Sequence, residues 1–538
     1  MANPKKQSFL GGAAVLAGAA AVVKLIGAVY KIPLNNILGQ VGKTYFDTAY
    51  SIYNVLLTIS TAGLPLAISK LTSQAHAQGR ENQKRKLFRT AIWLFFALGL
   101  VGSVFMFFRA ESLAAYMNTP MARLPIRTLA PAVFCVCLLA CMRGYTQGQG
   151  NMTPTAVSQI LEALCKVGIG LPCAWYLIQL GRGLDAGAAG AILGVTAGTV
   201  LSMCFLIVYL LRHRERERSL DVPESSGALL RQILAIGIPI TLSNSAMSII
   251  SMIDTKIVMG RLQSGLLLAE EQAAALNGEY RFAMDMVNMV VAFAYPVTMS
   301  LLPTASAALA QRDTGRVDRI ISSAFRVIIL LSLPAGVGLS VLSTPIMRLI
   351  LPAQQEAALA AGPHLRILGF ACILIFLMIL TNAILQTYGK ELLPIFTVIT
   401  GGLVKIVMNY FLVGRPEINI NGAPISTLCC YSVIVALNLL FVWRYSPKKP
   451  RYPALFARPI LASVLMGGAA WAVYGFASRL LSGGGAVSYG ENALATLCGI
   501  GAGVVVYGVL VIALRILRAE DVAAIPHGKT LIKVLHLK

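Results

Sequence analysis

Charged residues are scarce in this chain. They fill 12% of its 538 positions, about half the share that soluble globular domains carry. That shortage excludes an ordinary water-soluble fold. Acids are the scarcer sign, 22 Asp and Glu against 45 Lys and Arg. They form no cluster at metal-ligand spacing, and the sequence holds no HExxH, Walker A loop or nucleophile elbow. The residues therefore give no support to a catalytic centre, a resident metal, another cofactor or an ATP-driven motor. The five histidines lie in or near loops or in the C-terminal tail. The ten cysteines sit in or beside apolar runs, with no paired motif in an exported loop. They read as small buried apolar side chains rather than a disulfide framework. Also missing are the short alternating segments of a membrane β-barrel.

Apolar sequence is what the chain has in abundance: 57% of its residues are hydrophobic and its mean hydropathy is +0.73. Apolar runs of about 18 residues or more recur along its length, the mark of transmembrane helices. The expected fold is an all-α polytopic membrane protein of fourteen spans. Lys5-Lys6 before an Ala/Gly-rich run has the look of a signal peptide, but apolar sequence continues to Pro33, so an uncleaved first span is expected.

Twelve of the spans repeat as two sets of six. A shift of 238 residues carries Asp47 onto Asp285, Leu64-Pro65 onto Leu302-Pro303 and Ala67 onto Ala305. Gln147 to Pro154 is matched by Gln386 to Pro394, and Gly190-Ala191 by Gly422-Ala423. The expected organisation is two pseudo-symmetric six-helix lobes, 1–212 and 229–446, joined by a cytoplasmic linker, 213–228. Two additional helices, 447–518, and a cytoplasmic tail, 519–538, complete it. With six spans per lobe the repeats share one orientation, related by an axis along the membrane normal. The second half carries extra residues in Arg261 to Gly278, an amphipathic outer segment for which both a lid and an inert insertion stand open.

The net charge of +23 gathers in short loops rather than in a basic domain, which argues against nucleic acid and for the positive-inside rule and anionic headgroups. Lys84-Arg85-Lys86, Arg212 to Arg218 and Lys448-Lys449-Arg451 fall on one side, taken as cytoplasmic, together with both termini.

Charges within apolar spans are the candidates for function, because each costs about 2.5–3.5 kcal/mol at mid-bilayer unless it meets a partner or a cavity. Lys24, Lys31, Asp47, Glu162, Lys166, Asp254, Lys256, Arg281, Asp285 and Lys405 qualify. Glu162 and Lys166 are spaced i,i+4, as are Arg281 and Asp285, so an internal ion pair competes with a transport role. Asp254 and Lys256, at i,i+2, need partners elsewhere. Lys24 and Lys31 roughly share a face of the first span, which has no acid. With Arg281, and with Lys256 nearby in sequence order, they suit a phosphate or diphosphate. The competing reading is that Asp47 and Asp285 satisfy them; these two and Asp254 are the candidate gating or coupling acids. Helix breaks are expected at Gly63-Leu64-Pro65, Gly237-Ile238-Pro239, Tyr295-Pro296, Leu302-Pro303 and Leu333-Pro334. The last two spans, apolar and rich in Gly and Ala, suit either plain helix packing or a long lipid tail.

This layout, with Gly63-Leu64-Pro65, Ile68-Ser69-Lys70 and the stretch Tyr280 to Pro303, resembles the multidrug/oligosaccharidyl-lipid/polysaccharide exporter superfamily. The resemblance covers nearly the whole chain. It is nearest to the polysaccharide-transporter branch that holds the MurJ-type lipid II flippases and the stage V sporulation protein B group. It implies a monomeric flippase of the bacterial plasma membrane, driven by membrane potential or an ion gradient. Its substrate would be an undecaprenyl-diphosphate-linked peptidoglycan precursor, moved by alternating access of two lobes. It also implies a cationic cavity to which Lys24, Lys31 and Arg281 correspond, an acid at Asp47 and a lipid-tail groove in the last two helices. Lysine in place of the arginine usual on the first span is a departure, since lysine binds phosphate as a point charge. Other polyprenyl-linked glycans, or a cation-coupled drug antiporter, are the alternatives.

Overall fold

The computed structural model describes residues 9–213, 219–446, 449, 452–483, 485, 487–514 and 516. The expected cytoplasmic charges at Lys5, Lys6, Arg214 to Arg218, Lys448 and Arg451, and the tail 519–538, lie outside the described residues. Among those described there is no strand; the elements are eighteen α-helices with three short 3-10 or π turns. The fold class expected from composition is the one observed.

The chain divides by contacts into two units, residues 1–278 and 279–538. In the first, α1 (Phe9–Thr61), α2 (Leu64–Ala77), α3 (Glu81–Phe108) and α4 (Ala110–Tyr116) precede α5 (Arg123–Gly148). Then come α6 (Thr153–Cys165), α7 (Leu171–Gln179), α8 (Leu184–Arg212) and α9 (Ser226–Leu266). α10 (Glu270–Val291) runs across the division. The second unit holds α11 (Ala294–Ala310), α12 (Thr314–Val341), α13 (Ser343–Ile350) and α14 (Gln355–Thr387). It continues through α15 (Leu392–Leu412), α16 (Gly422–Tyr445), α17 (Tyr452–Ser482) and α18 (Tyr489–Ala513).

The internal packing of the units repeats. α5 is the central helix of the first, touching α2, α3 and α8; α14 occupies the same place in the second, against α11, α12 and α16. The buried face of α5 explains its position: Ile126, Leu129, Leu139 and Cys141 are fully buried, whereas Trp93, Val101 and Phe108 of α3 are 69–74% exposed, as a lipid-facing helix requires. α17 and α18 pack on each other, with Gly499 and Gly503 against Ala470, and α17 also packs on α12. The division places α9, the seventh span by sequence, with the first unit, where it lies along α1, α2 and α3.

Eleven described segments are long and apolar enough to cross a membrane. The expectation of fourteen spans differs in where helices are interrupted. One segment, Gly18–Ala77, is 60 residues long, about three times what a crossing needs. Within it the expected loop between first and second spans is helical, and the chain turns at Gly39 alone, whose φ of 63° and ψ of −172° belong to a region open only to glycine. α11 has 17 residues, short of a full crossing, and α10 carries Glu270, Glu271, Glu279, Arg281 and Asp285.

The helix breaks are a mixed result. The chain does interrupt at Ala62-Gly63, before α2, and at Ala292-Phe293, just ahead of Tyr295-Pro296. α9 passes through Gly237-Ile238-Pro239, α11 through Leu302-Pro303 and α12 through Pro334 without a break. Gly63 has a packing role as well: a Cβ there would lie 2.7 Å from the Thr241 amide nitrogen, so α2 starts directly on the backbone of α9.

Two extramembrane segments are tied down. The linker caps α3 from outside: Asp221 accepts from the Asn82 amide at 2.9 Å and the Gln83 amide at 2.8 Å. Gln83 and Glu224 exchange two further bonds of 3.0 and 2.7 Å. Desolvation works against the Asp221 charge, but the bonds from Ser219, Asn82 and Gln83, with Arg80, outweigh it and hold the carboxyl below the usual aspartate range. The segment 261–278 is likewise anchored in the first unit. Thr44 Oγ1 donates to the Ala274 carbonyl at 2.7 Å, Asn277 donates to Thr44 at 3.2 Å, and the Met121 amide donates to Glu270 at 3.0 Å. Partial burial raises the Glu270 carboxyl in spite of that bond.

Candidate functional site

Lys24 and Lys31 lie on the first arm of α1, Lys24 exposed and Lys31 half-buried. Two helical turns separate them, about 10 Å along the axis. The arm between Phe9 and the Gly39 turn has no Asp or Glu. Across the turn, Asp47 is engaged by a residue outside the sequence candidates: Lys43 Nζ is 2.8 Å from Asp47 Oδ1, one helical turn away. Lys43 is 1% exposed and also lies over the Phe46 ring. On this arm Phe46, Tyr50 and Tyr53 follow one another in ring contact.

Glu162 and Lys166, expected as an i,i+4 pair, are partnered differently. Glu162 takes the Arg143 guanidinium from α5, whose Nε donates to Ser158 Oγ at 2.8 Å. Lys166 opens a π-helical turn, Lys166–Gly170, and its Nζ lies 6.0 Å from the centroid of the Tyr50 ring. The planar fork of arginine reaches carboxylate and hydroxyl together, which a lysine ammonium on the same helix does not match. The Ser202 hydroxyl of α8 donates to the Ser158 carbonyl and completes the junction of α5, α6 and α8.

The second unit carries a neutral version at positions that correspond in the repeat. Asn438 of α16 donates to Thr381 of α14 at 3.0 Å and accepts from Thr397 of α15 at 2.8 Å. Arg143, Ser158 and Ser202 align with Thr381, Thr397 and Asn438 at offsets like those of the sequence repeat. One junction is therefore built twice, with charge retained in the first copy.

On α9, Asp254 is 4% exposed. Lys256 projects over the Tyr116 ring, 3.4 Å from its centroid. The loop after α4 strengthens that attachment: Asn118 donates to the Lys256 carbonyl at 3.3 Å, and Gln263 donates to the Asn118 carbonyl at 2.6 Å. In the second unit, Arg281 is half-buried beside Tyr280, and Asp285 is 5% exposed. Tyr280 and Thr427 share a 3.0 Å hydrogen bond. His364, expected near a loop, is 3% exposed within α14 and stands 3.9 Å from Glu279. Lys405 lies half-buried on α15.

The candidates thus sort by unit: Lys24, Lys31, Asp47, Glu162, Lys166, Asp254 and Lys256 in the first, Arg281, Asp285 and Lys405 in the second. Among the described residues no group of three His, Cys, Asp or Glu could hold a metal ion. Cations fixed on apolar helices are suited to recognising an anionic group. Sequence reasoning missed Lys43, Arg143, Tyr116 and the His364–Glu279 pair; Lys43 and Arg143 carried the one usable signal, a charge within a turn of a span boundary.

Comparison with known proteins bears on this arrangement. A family model described as polysaccharide biosynthesis protein matches residues 9–309, and a MatE model matches 239–411. The stage V sporulation protein B of Bacillus subtilis (strain 168) is 24% identical, with 97% of this chain and 98% of that protein aligned. The lipid II flippase MurJ of the same organism is 22% identical over 85% of this chain and 86% of its own. Among solved structures, a lipid II flippase MurJ in an inward closed conformation superposes with a TM-score of 0.67 at 14% identity, covering 93% of this chain and 99% of that one.

Proposed function

The chain belongs to the polysaccharide biosynthesis protein family, in the polysaccharide and lipid flippase branch of the multidrug/oligosaccharidyl-lipid/polysaccharide exporter superfamily, and from that premise we propose that it translocates lipid II. The family is one of flippase-type transporters rather than catalytic enzymes, and the chain is a multi-pass membrane protein. The substrate would be the undecaprenyl-diphosphate-linked peptidoglycan precursor, carried from the cytoplasmic to the outer leaflet of a bacterial plasma membrane by a monomer with both termini cytoplasmic. The observation that carries this reading is the acid-free first arm of α1 with Lys24 and Lys31 two turns apart. Two cations on a helix arm whose own sequence carries no acid favour a diphosphate over an organic cation. Arg281 is a further basic candidate, on α10, and the apolar α17–α18 pair would offer a place for a polyprenyl tail. With no ATP-binding loop in the sequence, membrane potential or an ion gradient would supply the drive. A flippase for another polyprenyl-diphosphate-linked glycan draws on the same basic residues.

The test is translocation in liposomes holding the purified protein, with labelled lipid II, a polyprenyl diphosphate bearing an unrelated glycan, and a cationic dye run side by side. Movement of lipid II, abolished by Lys24→Ala and by Arg281→Ala with insertion intact, is the expected result. Movement of the unrelated glycan alone reassigns the substrate. Export of the dye alone, or normal transport by either variant, refutes the cationic-site reading.

A further inference from the structure

The basic cluster at the start of α3 does not face one way. Lys84 turns inward, 1% exposed, and pairs with Glu81 at 2.6 Å. Arg85, Lys86 and Arg89 instead line a cavity of about 910 Å³ between the first turns of α3 and the first turns of α9. Trp93 and Leu94 form its deeper wall on α3, and Pro223 and Leu230 close it from the linker and α9. From Arg85 to Trp93 the helix rises about 12 Å, which sets the three cations apart from Trp93, 70% exposed and of the residue type that collects at membrane interfaces.

The cavity does not end there. Leu230 and Gly227 are shared with a second hollow of about 530 Å³ that continues along α9 past Leu234 and Ala235 to Ile238. Its lining is apolar except for Arg231 at the rim. The cationic cavity therefore runs on into an open, mostly apolar strip of α9 about 12 Å long. The cavity has a fixed frame, because Asp221 and Glu224 clamp the linker to Asn82 and Gln83 on either side of Pro223. Loop cations placed only to set topology need no such cavity, and a soluble anion has no use for the apolar strip beside it.

We infer that the α3–α9 groove is a binding site for an anionic glycerophospholipid of the leaflet at the linker face, with the phosphate held by Arg85, Lys86 and Arg89 and an acyl chain lying along Leu230, Leu234 and Ile238. Lys24, Lys31 and Arg281 are not among its lining residues, and the proposal does not depend on which molecule is transported; only the identification of the leaflet as cytoplasmic rests on the orientation above.

Native mass spectrometry of the full-length protein released from detergent tests it without any transported glycan present, so the outcome is separate from that of the transport assay. Phosphatidylglycerol, phosphatidylcholine and undecaprenyl diphosphate are titrated in turn. Two cations near a charged lipid surface correspond to about a thirtyfold change in affinity, which is the loss expected for phosphatidylglycerol on Lys86→Ala/Arg89→Ala. Leu230→Trp, which crowds the junction of cavity and strip and leaves the charges in place, should weaken the same lipid. Arg123→Ala/Arg127→Ala, removing two exposed cations on α5, should not. Equal retention of phosphatidylcholine, unchanged retention by the Lys86/Arg89 variant, or an equal loss in the α5 control overturns the site. Tighter holding of undecaprenyl diphosphate, lost in the same variants, overturns the assignment of its occupant.

Discussion

Removing Arg143 should destabilise the first unit far more than removing Arg143 and Glu162 together. The two groups are 17% and 19% exposed, so each depends on the other for most of its solvation. Breaking a buried pair by deleting one member costs about 3–5 kcal/mol, because the survivor is left charged in a poor solvent, whereas replacing both by apolar side chains of similar volume is near neutral or stabilising. Lys166 offers at most partial rescue, since it opens the π turn with its ammonium over the Tyr50 ring. The variants are Arg143→Met, Glu162→Met and the double, with denaturant-dependent unfolding in micelles as the assay and slopes compared to confirm that the transitions match. Each single variant should lose about 3 kcal/mol or more, and the double variant should return to within about 1 kcal/mol of the parent. Ser158→Ala, removing one neutral bond to a charged donor, should cost about 1.5–3 kcal/mol. Single losses below about 1 kcal/mol that simply add in the double variant would refute the pairing as a buried, mutually dependent unit.

Two other expectations concern contacts made by backbone. Gly63→Leu should separate the start of α2 from α9, since a Cβ there falls 2.7 Å from the Thr241 amide nitrogen; a cysteine pair engineered across α2 and α9 should then crosslink poorly, and unimpaired crosslinking would count against the contact. The Asp221 cap should depend on pH in one direction: a carboxyl held below its unfolded value stabilises above about pH 4 and ceases to do so as pH falls through the lowered value. Hydrogen exchange of a peptide spanning Asn82 and Gln83 should show protection at neutral pH that is lost on acidification, and absent at neutral pH in Asp221→Ala; equal protection in that variant would exclude the cap.

Much of the fold was legible because its signals are local or periodic. Apolar runs gave the helices, and Asp47 with Asp285 and the Leu-Pro pairs gave the repeat that packing around α5 and α14 then reproduces. The candidate residues were legible as charges out of place, but their partners were not. Lys43 sat in an expected loop, and only the glycine-specific turn at Gly39 makes that stretch helical and puts Lys43 on Asp47. For Glu162, spacing along the helix pointed to Lys166, while the guanidinium that takes it comes from the preceding helix. Asp221 caps α3 from 139 residues away, a distance at which no sequence spacing rule applies. Pro239 and Pro334 mark expected breaks, yet α9 and α12 run through them, as apolar helices tolerate.

Two charge pairs on apolar helices of the first unit, Lys43–Asp47 and Arg143–Glu162, also differ in when they can form. Lys43 and Asp47 belong to one helix, so they neutralise each other as soon as that turn winds, and the segment enters the bilayer with its charges already matched. Arg143 and Glu162 lie on consecutive helices, α5 and α6, joined by a turn of only a few residues around Asn151. While Arg143 waits for its acid, α5 carries an insertion cost of about 2.5–3.5 kcal/mol. Biogenesis is therefore expected to release α5 and α6 from the insertion machinery as one hairpin, making the short Gln149–Met152 connection a timing device in synthesis rather than a mere link in the finished fold.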